Sequence, residues 1–326
     1  MKKKLLVFIT LILSVVCLFT FTGCDEAVSA GVSTSEYLKQ FRDAGVNHME
    51  HFDGEDNFGD IKLKLKESGT MSAPVELTVL DENDNPITKE YTNSSDVEVT
   101  GVIEVKTIDN VTYLYTNYVT KRVEKTYDVV DNKVVENVKT INETETYYFG
   151  LSGEDYVATY NYTTDDPDEE NEKFYTRFDN VDSYNNKLYN ELEDINNLFG
   201  TYNGILIQVF GVDADTGNMK FTTSFSKADD LYVGKLYTTT FMNNAGLIIP
   251  PLLSVELTIK NNDKGLVNNR LNLEVLSEEV NISIDSIADY EYKSSLTPLT
   301  NPIEGYTDGY VSSPVRALIM EMGSIL

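Results

Sequence analysis

The sequence predicts an α+β, β-dominated protein. Its main body is a long curved antiparallel meander sheet, half-barrel-like in outline. An N-terminal helix, a mid-chain helix and a short C-terminal helix accompany it. Three observations predict this. Apolar and polar residues alternate with period two through most of the chain after Asp60. Short joints rich in Asn, Asp and Gly separate the alternating arms. Only three stretches carry the three- and four-residue apolar spacing of a helix. Hydrophobic residues make up 41% and charged residues 24%, a balance that builds a core rather than a disordered chain.

The N-terminal helix begins near Ser33, whose spacing to Glu36 is that of a capping box. Leu38, Phe41, Gly45, His48 and Phe52 then share one face, and Gly54 marks a stop. From Asp60 the period is two. Ile61, Leu63 and Leu65 alternate with Lys62, Lys64 and Lys66, a half-buried strand with a charged outer face. Val97, Val99, Ile103 and Val105 repeat the pattern. Further strands are expected at 111–121, 143–149, 156–162, 205–212, 219–225, 231–241, 252–260, 269–276 and 280–285. Asp109-Asn110, Asp131-Asn132, Ser152 to Asp155, Asp215 to Asn218 and Asn262 to Gly265 are hairpin joints, because Asn, Asp and Gly accept positive φ. The arms around Asp131-Asn132 are expected to be long, from about 113 to 148 by the run of their alternation. The residues from 164 to 172 are an acidic loop. The mid-chain helix is capped by Asp182 or Ser183, buries Leu188, Leu192, Ile195 and Phe199, and ends at Gly200. The C-terminal helix starts at Ser313-Pro314 and lines up Val315, Leu318, Ile319 and Met322.

The first residues set the compartment. Met1 is followed by Lys2, Lys3 and Lys4, and Leu5 to Phe21 is an apolar run without a charge. This is a secretory leader by pattern. A membrane-spanning anchor is the other way to read a run of that length. Phe21-Thr22-Gly23-Cys24 resembles the lipobox of bacterial lipoproteins. That resemblance implies a diacylglyceryl thioether, with palmitate-type chains, on Cys24 and cleavage before it. Residues 1–23 would be the signal peptide, 24–34 a lipidated tether and 35–326 a single β-rich extracytoplasmic domain. Two α+β halves, 35–180 and 181–326, are the alternative division. The protein would sit on the outer face of the bacterial cell membrane. Cys17 and Cys24 are the two cysteines, so the processed chain would have no free thiol. The net charge of −27 becomes −27 − 3 = −30 once the three leading lysines are removed, which repels anionic lipid heads. The same acidity argues against nucleic acid.

The order helix, strands, helix, strands, short helix resembles the half-barrel lipoproteins, the LolA-like and mycobacterial LppX-like families. The resemblance lies in architecture, over roughly 35–326. It implies an amphiphile-binding cavity between a curved sheet and its helices.

Local chemistry is sparse. His48-Met49-Glu50-His51 lacks the His-Glu-x-x-His spacing of a zinc protease. Asp81 to Pro86 and Asp213 to Gly217 have the oxygen-rich spacing of calcium loops but also of acidic hairpin turns. No nucleophile elbow, phosphate loop or paired-carboxylate motif is present. No catalytic residue, cofactor or metal is therefore expected, and a monomer is. Gly246 to Leu253 is the most unusual stretch, an apolar run stiffened by Pro250-Pro251. An apolar run that cannot be a regular central strand is either packed beneath the sheet or exposed at a rim. Leu247, Ile248, Ile249 and Leu252, with Leu318 and Ile319 of the last helix, are the expected ligand-binding residues. The many tyrosines at strand spacing, such as Tyr113, Tyr115, Tyr156, Tyr160 and Tyr162, are sheet-face residues first and a ligand platform second. The expected function is a non-catalytic lipoprotein that binds or carries an apolar or amphiphilic ligand. The alternative is a cell-surface structural or protein-interaction lipoprotein without a small-molecule ligand.

Overall fold

The computed structural model describes residues 32–33, 35–37, 39–40, 60–192, 215–216, 219–228, 231–241, 252–262, 265–276 and 280–311. Its strands are β1 (Ile61–Leu80), β2 (Pro86–Ile108), β3 (Val111–Val130), β4 (Lys133–Ser152), β5 (Asp155–Thr164) and β6 (Glu172–Phe178) in the first half. The second half supplies β7 (Asp215–Thr216), β8 (Met219–Ala228), β9 (Leu231–Phe241), β10 (Leu252–Asn262), β11 (Gly265–Leu276), β12 (Asn281–Glu291) and β13 (Thr307–Asp308). All belong to one large, curved, open sheet, ordered β13-β6-β5-β4-β3-β2-β1-β12-β11-β10-β9-β8-β7. Two meanders thus run outward from the centre, joined by the antiparallel β1–β12 ladder. β-dominance and the antiparallel meander are as the sequence predicts. The hairpin joints are too: Asp109, Asn110, Asp131, Asn132 and Gly153 all have positive φ.

The helices differ from expectation. Two helical segments stand among the described residues, not three: α1 at 35–37 and 39–40, and α2 at 181–192. The segment 313–322 lies outside the described residues, as do 205–212 and the His48–His51 pair. Ser33 Oγ accepts the Glu36 amide, as a cap should. Among the described residues of α1 the buried side chain is Tyr37, while Leu38, Phe41, Gly45, His48 and Phe52 of the expected stripe lie outside the described residues. In α2 the cap is Asn180, whose side chain accepts the Ser183 amide and whose carbonyl accepts the Tyr184 amide. The helix therefore starts earlier than Asp182 or Ser183 would place it, and Tyr184 joins Leu188 and Leu192 in the core.

Alternation decides which side chains meet which layer. One face of the sheet presents Leu63, Val97, Val99, Val105, Leu114, Tyr147, Phe149, Leu257 and Ile259 to the helices, in one cluster with Tyr37, Tyr184, Leu188 and Leu192. The Tyr37 hydroxyl donates to the Leu257 carbonyl, and the Tyr184 hydroxyl to that of Thr112 at 2.5 Å. Gly234 makes room for Tyr37: a Cβ there would lie 2.7 Å from its ring.

The opposite face is crossed by a strap, residues 292–311, which the sequence gives no sign of. Its root is Glu104, a buried carboxylate. One oxygen accepts Lys62 Nζ at 2.8 Å, and the other accepts Ser294 Oγ at 2.9 Å and the Ser295 amide at 3.0 Å. Leu296 then packs with Tyr113, Tyr148 and Val157. At the far edge β13 pairs in parallel with β6, and Thr176 Oγ1 donates to the Gly309 carbonyl at 2.6 Å. Beyond it Val311 reaches the helix-side cluster, so the strap wraps round the β6 edge.

Candidate functional site

The expected site residues are only partly within view. Cys24, Leu247, Ile248, Ile249, Leu318 and Ile319 lie outside the described residues. Leu252 opens β10 and pairs in register with Leu276, at the end of the sheet where β11 turns towards β12. The tyrosines take the role of sheet-face residues. Tyr113 and Tyr148 are buried beneath the strap, whereas Tyr147, Tyr160 and Tyr162 are buried on the helix side. Burial pushes the Tyr148 hydroxyl up to about 12.

Buried carboxylates also line the helix side. Tyr160 donates to Glu145 at 3.0 Å, Tyr162 contacts both Glu143 and Glu169, and Arg122 lies 3.6 Å from Glu143. Burial, then the Glu169 and Glu143 contacts, raises the Tyr162 hydroxyl far above its usual value. Each acidic side chain of this ladder is held by a neighbour on an adjacent strand or loop, which makes it a structural polar ladder within the core. The turn at Asp81 is built likewise. Its carboxylate accepts the Asn83 and Asn85 amides and the Asn85 side chain, so it caps a hairpin. Among the described residues no group of three or more His, Cys, Asp or Glu side chains is placed to hold a metal.

The exposed feature of the described structure is an arm. The β1–β12 ladder stops at Ser72–Asn281, the β2–β3 ladder at Ser94–Lys125, and β4–β5 at Glu143–Thr164. Beyond these points β1–β2 and β3–β4 continue as two hairpins. Eight residues of β1, 73–80, project past its last β12 partner, about 26 Å at 3.3 Å per residue. Neither the helices nor the strap contacts the hairpin tips in any hydrogen bond or core cluster of the described residues. The tips hold each other instead. Asn93 Oδ1 accepts the Tyr127 amide, the Tyr91 and Tyr127 rings stand 4.9 Å apart, and Asn132 donates to the Leu80 carbonyl while accepting its amide. Leu80, Ile87, Val129, Val130, Val135 and Val138 are exposed here, Val138 by 59% and Val130 by 52%. The long β3–β4 pair was legible in the sequence. The exposure of its valines was not, because alternation reads the same whether a face is covered or bare.

No family model matches the chain, and no curated protein matches it. Among solved structures, the chain is weakly similar to the beta domain of the Bordetella autotransporter BrkA. Sequence identity there is 7% and the TM-score 0.16, over 71% of this chain and 98% of that one. The translocator domain of the autotransporter NalP from Neisseria meningitidis gives 8% identity and a TM-score of 0.18, over 80% of this chain and 100% of that one. Scores this low reflect shared strand content alone and carry no argument about fold or function.

Proposed function

We propose that the chain is an extracytoplasmic lipoprotein, held to the outer face of the membrane through a lipid on Cys24, whose non-catalytic role is contact with other protein at a distance from that membrane. The arm carries this reading. Four strands extend past the body with apolar side chains exposed, and an exposed apolar patch on a soluble domain is ordinarily a contact surface. The Phe21-Thr22-Gly23-Cys24 lipobox supports the anchor, and the negative body supports its standing off anionic lipid. Carriage of an amphiphile is the second reading. It is favoured by the exposed Leu276, whose register partner Leu252 belongs to the apolar 246–253 stretch of the sequence.

Labelling with radioactive palmitate tests the anchor. The intact chain should incorporate label and fractionate with membranes, and Cys24→Ala should do neither. Label retained by the variant overturns the anchor. A fluorescent fatty acid separates the two roles. Binding by the intact chain that is abolished by Ile248→Asp with Ile249→Asp would replace the contact role with the carrier role.

A further inference from the structure

The sheet face opposite the helices changes character across its width. On β1 and on β9 to β12 it is laced with ion pairs, Lys64–Glu291, Arg270–Asp285 and Lys235–Glu256 among them. A solvated sheet face is ordinarily built this way. From β3 to β5, one step beyond the strap along each strand, the charges stop. Asn117, Thr146 and Asn161 stand in register on three neighbouring strands, and Lys173 of β6 closes the row. The next row outward, through Val119 and Thr144, is uncharged as well, and Val119 is 42% exposed. On a chain of net charge −27, a neutral strip of this width is a local exception.

The strip has an aromatic wall. Tyr115 belongs to the row nearest the strap, and Tyr306 of the strap meets that row through the Thr159 side chain. Lys173 Nζ lies 5.9 Å from the centroid of the Tyr306 ring, which holds the ring beside the end of the amide row. Both rings are only partly buried. Within the strip Thr146 Oγ1 donates to Asn117 Oδ1 at 3.1 Å, so those two side chains hold each other. Asn161 differs. Its Oδ1 is buried and has no hydrogen-bond partner among the described residues. A buried acceptor without a donor keeps its desolvation cost, and a ligand that supplies an O–H or N–H recovers it. The side chain as a whole is partly exposed, so a half-turn about its last bond brings this oxygen to the surface.

We propose that this strip binds a neutral oligosaccharide, laid across β3 to β6 with its ring faces towards Tyr115 and Tyr306 and its hydroxyls on Asn117, Thr146 and Asn161. The site is separate from the arm and adds a second kind of contact to the protein. A sugar ring has an apolar C–H face and a rim of hydroxyls, each both donor and acceptor. Aromatic rings, apolar and weakly negative on their faces, take the first. Amide and hydroxyl side chains, which also donate and accept, take the second. Charge narrows the ligand further. A body at −27 repels anionic polymers, and the strip has no carboxylate to hold a cationic one. A protein contact needs an apolar centre, and Val102 and Val119 are the only aliphatic side chains of the two rows. Three strand spacings separate β3 from β6, about 14 Å at about 4.8 Å each, the reach of a short oligosaccharide rather than of one sugar.

An array of neutral and acidic oligosaccharides, probed with the fluorescently labelled full-length chain in detergent micelles, tests this. The parent should be retained by at least one neutral oligosaccharide and not by sulfated or uronic-acid chains. Asn117→Ala with Asn161→Ala should weaken that binding at least about tenfold, the combined effect of two lost polar contacts. Asn161→Ala alone should leave the denaturant midpoint unchanged, because its oxygen has no partner to lose. Thr146→Val keeps the side-chain shape and removes one hydroxyl. It should weaken binding about fivefold, and it decides the matter if the double variant does not fold. Arg270→Ala, on the ion-paired part of the same face, and Val138→Ala, on the arm, should bind as the parent does. A parent that binds no neutral oligosaccharide on the array overturns the proposal. So does a preference for acidic chains, or binding that Thr146→Val and the double variant keep in full. Loss of binding in Arg270→Ala equal to that in the double variant also overturns it, while leaving the arm as a contact surface untouched.

Discussion

The inner and outer halves of β4 are one strand in two environments. From Ile141 to Gly150 it lies between the helix-side core and the strap, and Tyr147, Tyr148 and Phe149 are almost wholly inaccessible. From Lys133 to Val138 it keeps the same regular ladder with β3, but none of these side chains is buried and Val138 stays exposed. Backbone pairing is thus uniform along the strand while burial is not. Hydrogen bonds fix the geometry of both halves, and only the inner one gains from removal of apolar surface from water.

The largest expected effect tests that contrast directly. Phe149→Ala should destabilise the protein by about 3–5 kcal/mol, whereas Val138→Ala should stay within about 0.5 kcal/mol. Denaturant midpoints of the two variants give the comparison. Comparable losses would mean that the arm has cover of its own.

The strap comes next. Glu104→Ala leaves Lys62, Ser294 and the Ser295 amide without their shared acceptor, an expected loss of about 2–3 kcal/mol. Burial alone would raise the Glu104 carboxyl, but the Lys62 ammonium, the Ser294 hydroxyl and the Ser295 amide outweigh it and hold the group below its ordinary value. Because the folded pKa is lowered, this contribution is complete above the ordinary glutamate value, about 4.3. It is lost as pH falls through the folded value. Other groups near this carboxylate are Lys64 and Tyr115. Hydrogen exchange at 294–299 should accelerate on acidification in the parent and be fast at neutral pH in Glu104→Ala.

The smallest effect is at the clamp between the hairpins. Asn132→Ala removes two contacts to Leu80, with an expected loss of about 1 kcal/mol confined to the arm. The Leu80 amide should then exchange faster while that of Phe149 does not change.

Much of this architecture was legible because strand alternation and turn chemistry are local. Val97 to Val105 and Leu271 to Val275 announced their strands, and Asp109-Asn110 and Asp131-Asn132 their turns. What was missed depends on distant partners. β6 hid behind the acidic loop because Glu172 and Lys173 begin it. The strap has no periodicity of its own, since Glu104 and Tyr148 on other strands position it. The pairing of β1 with β12 leaves no mark in either segment. Of the residues expected to bind ligand, Leu252 alone lies within the described structure, while the exposed arm carries valines that a sequence pattern assigns to a core.

The central β1–β12 ladder also has a consequence for how the chain is made. Lys64 and Glu291 meet across it although 227 residues separate them. Closing a flexible loop of that length costs about 5 kcal/mol from chain entropy before any native contact offsets it. The two meanders need no such search, because hairpins join neighbours in sequence. Each half can therefore order early, and the join between them must be slow. Throughout that interval β1 is a bare edge from Ile61 to Ser72, next to a strap that has not yet arrived. A chain waiting in that state is most exposed to aggregation, and loss of the last strand would show first as insoluble protein rather than as lost function.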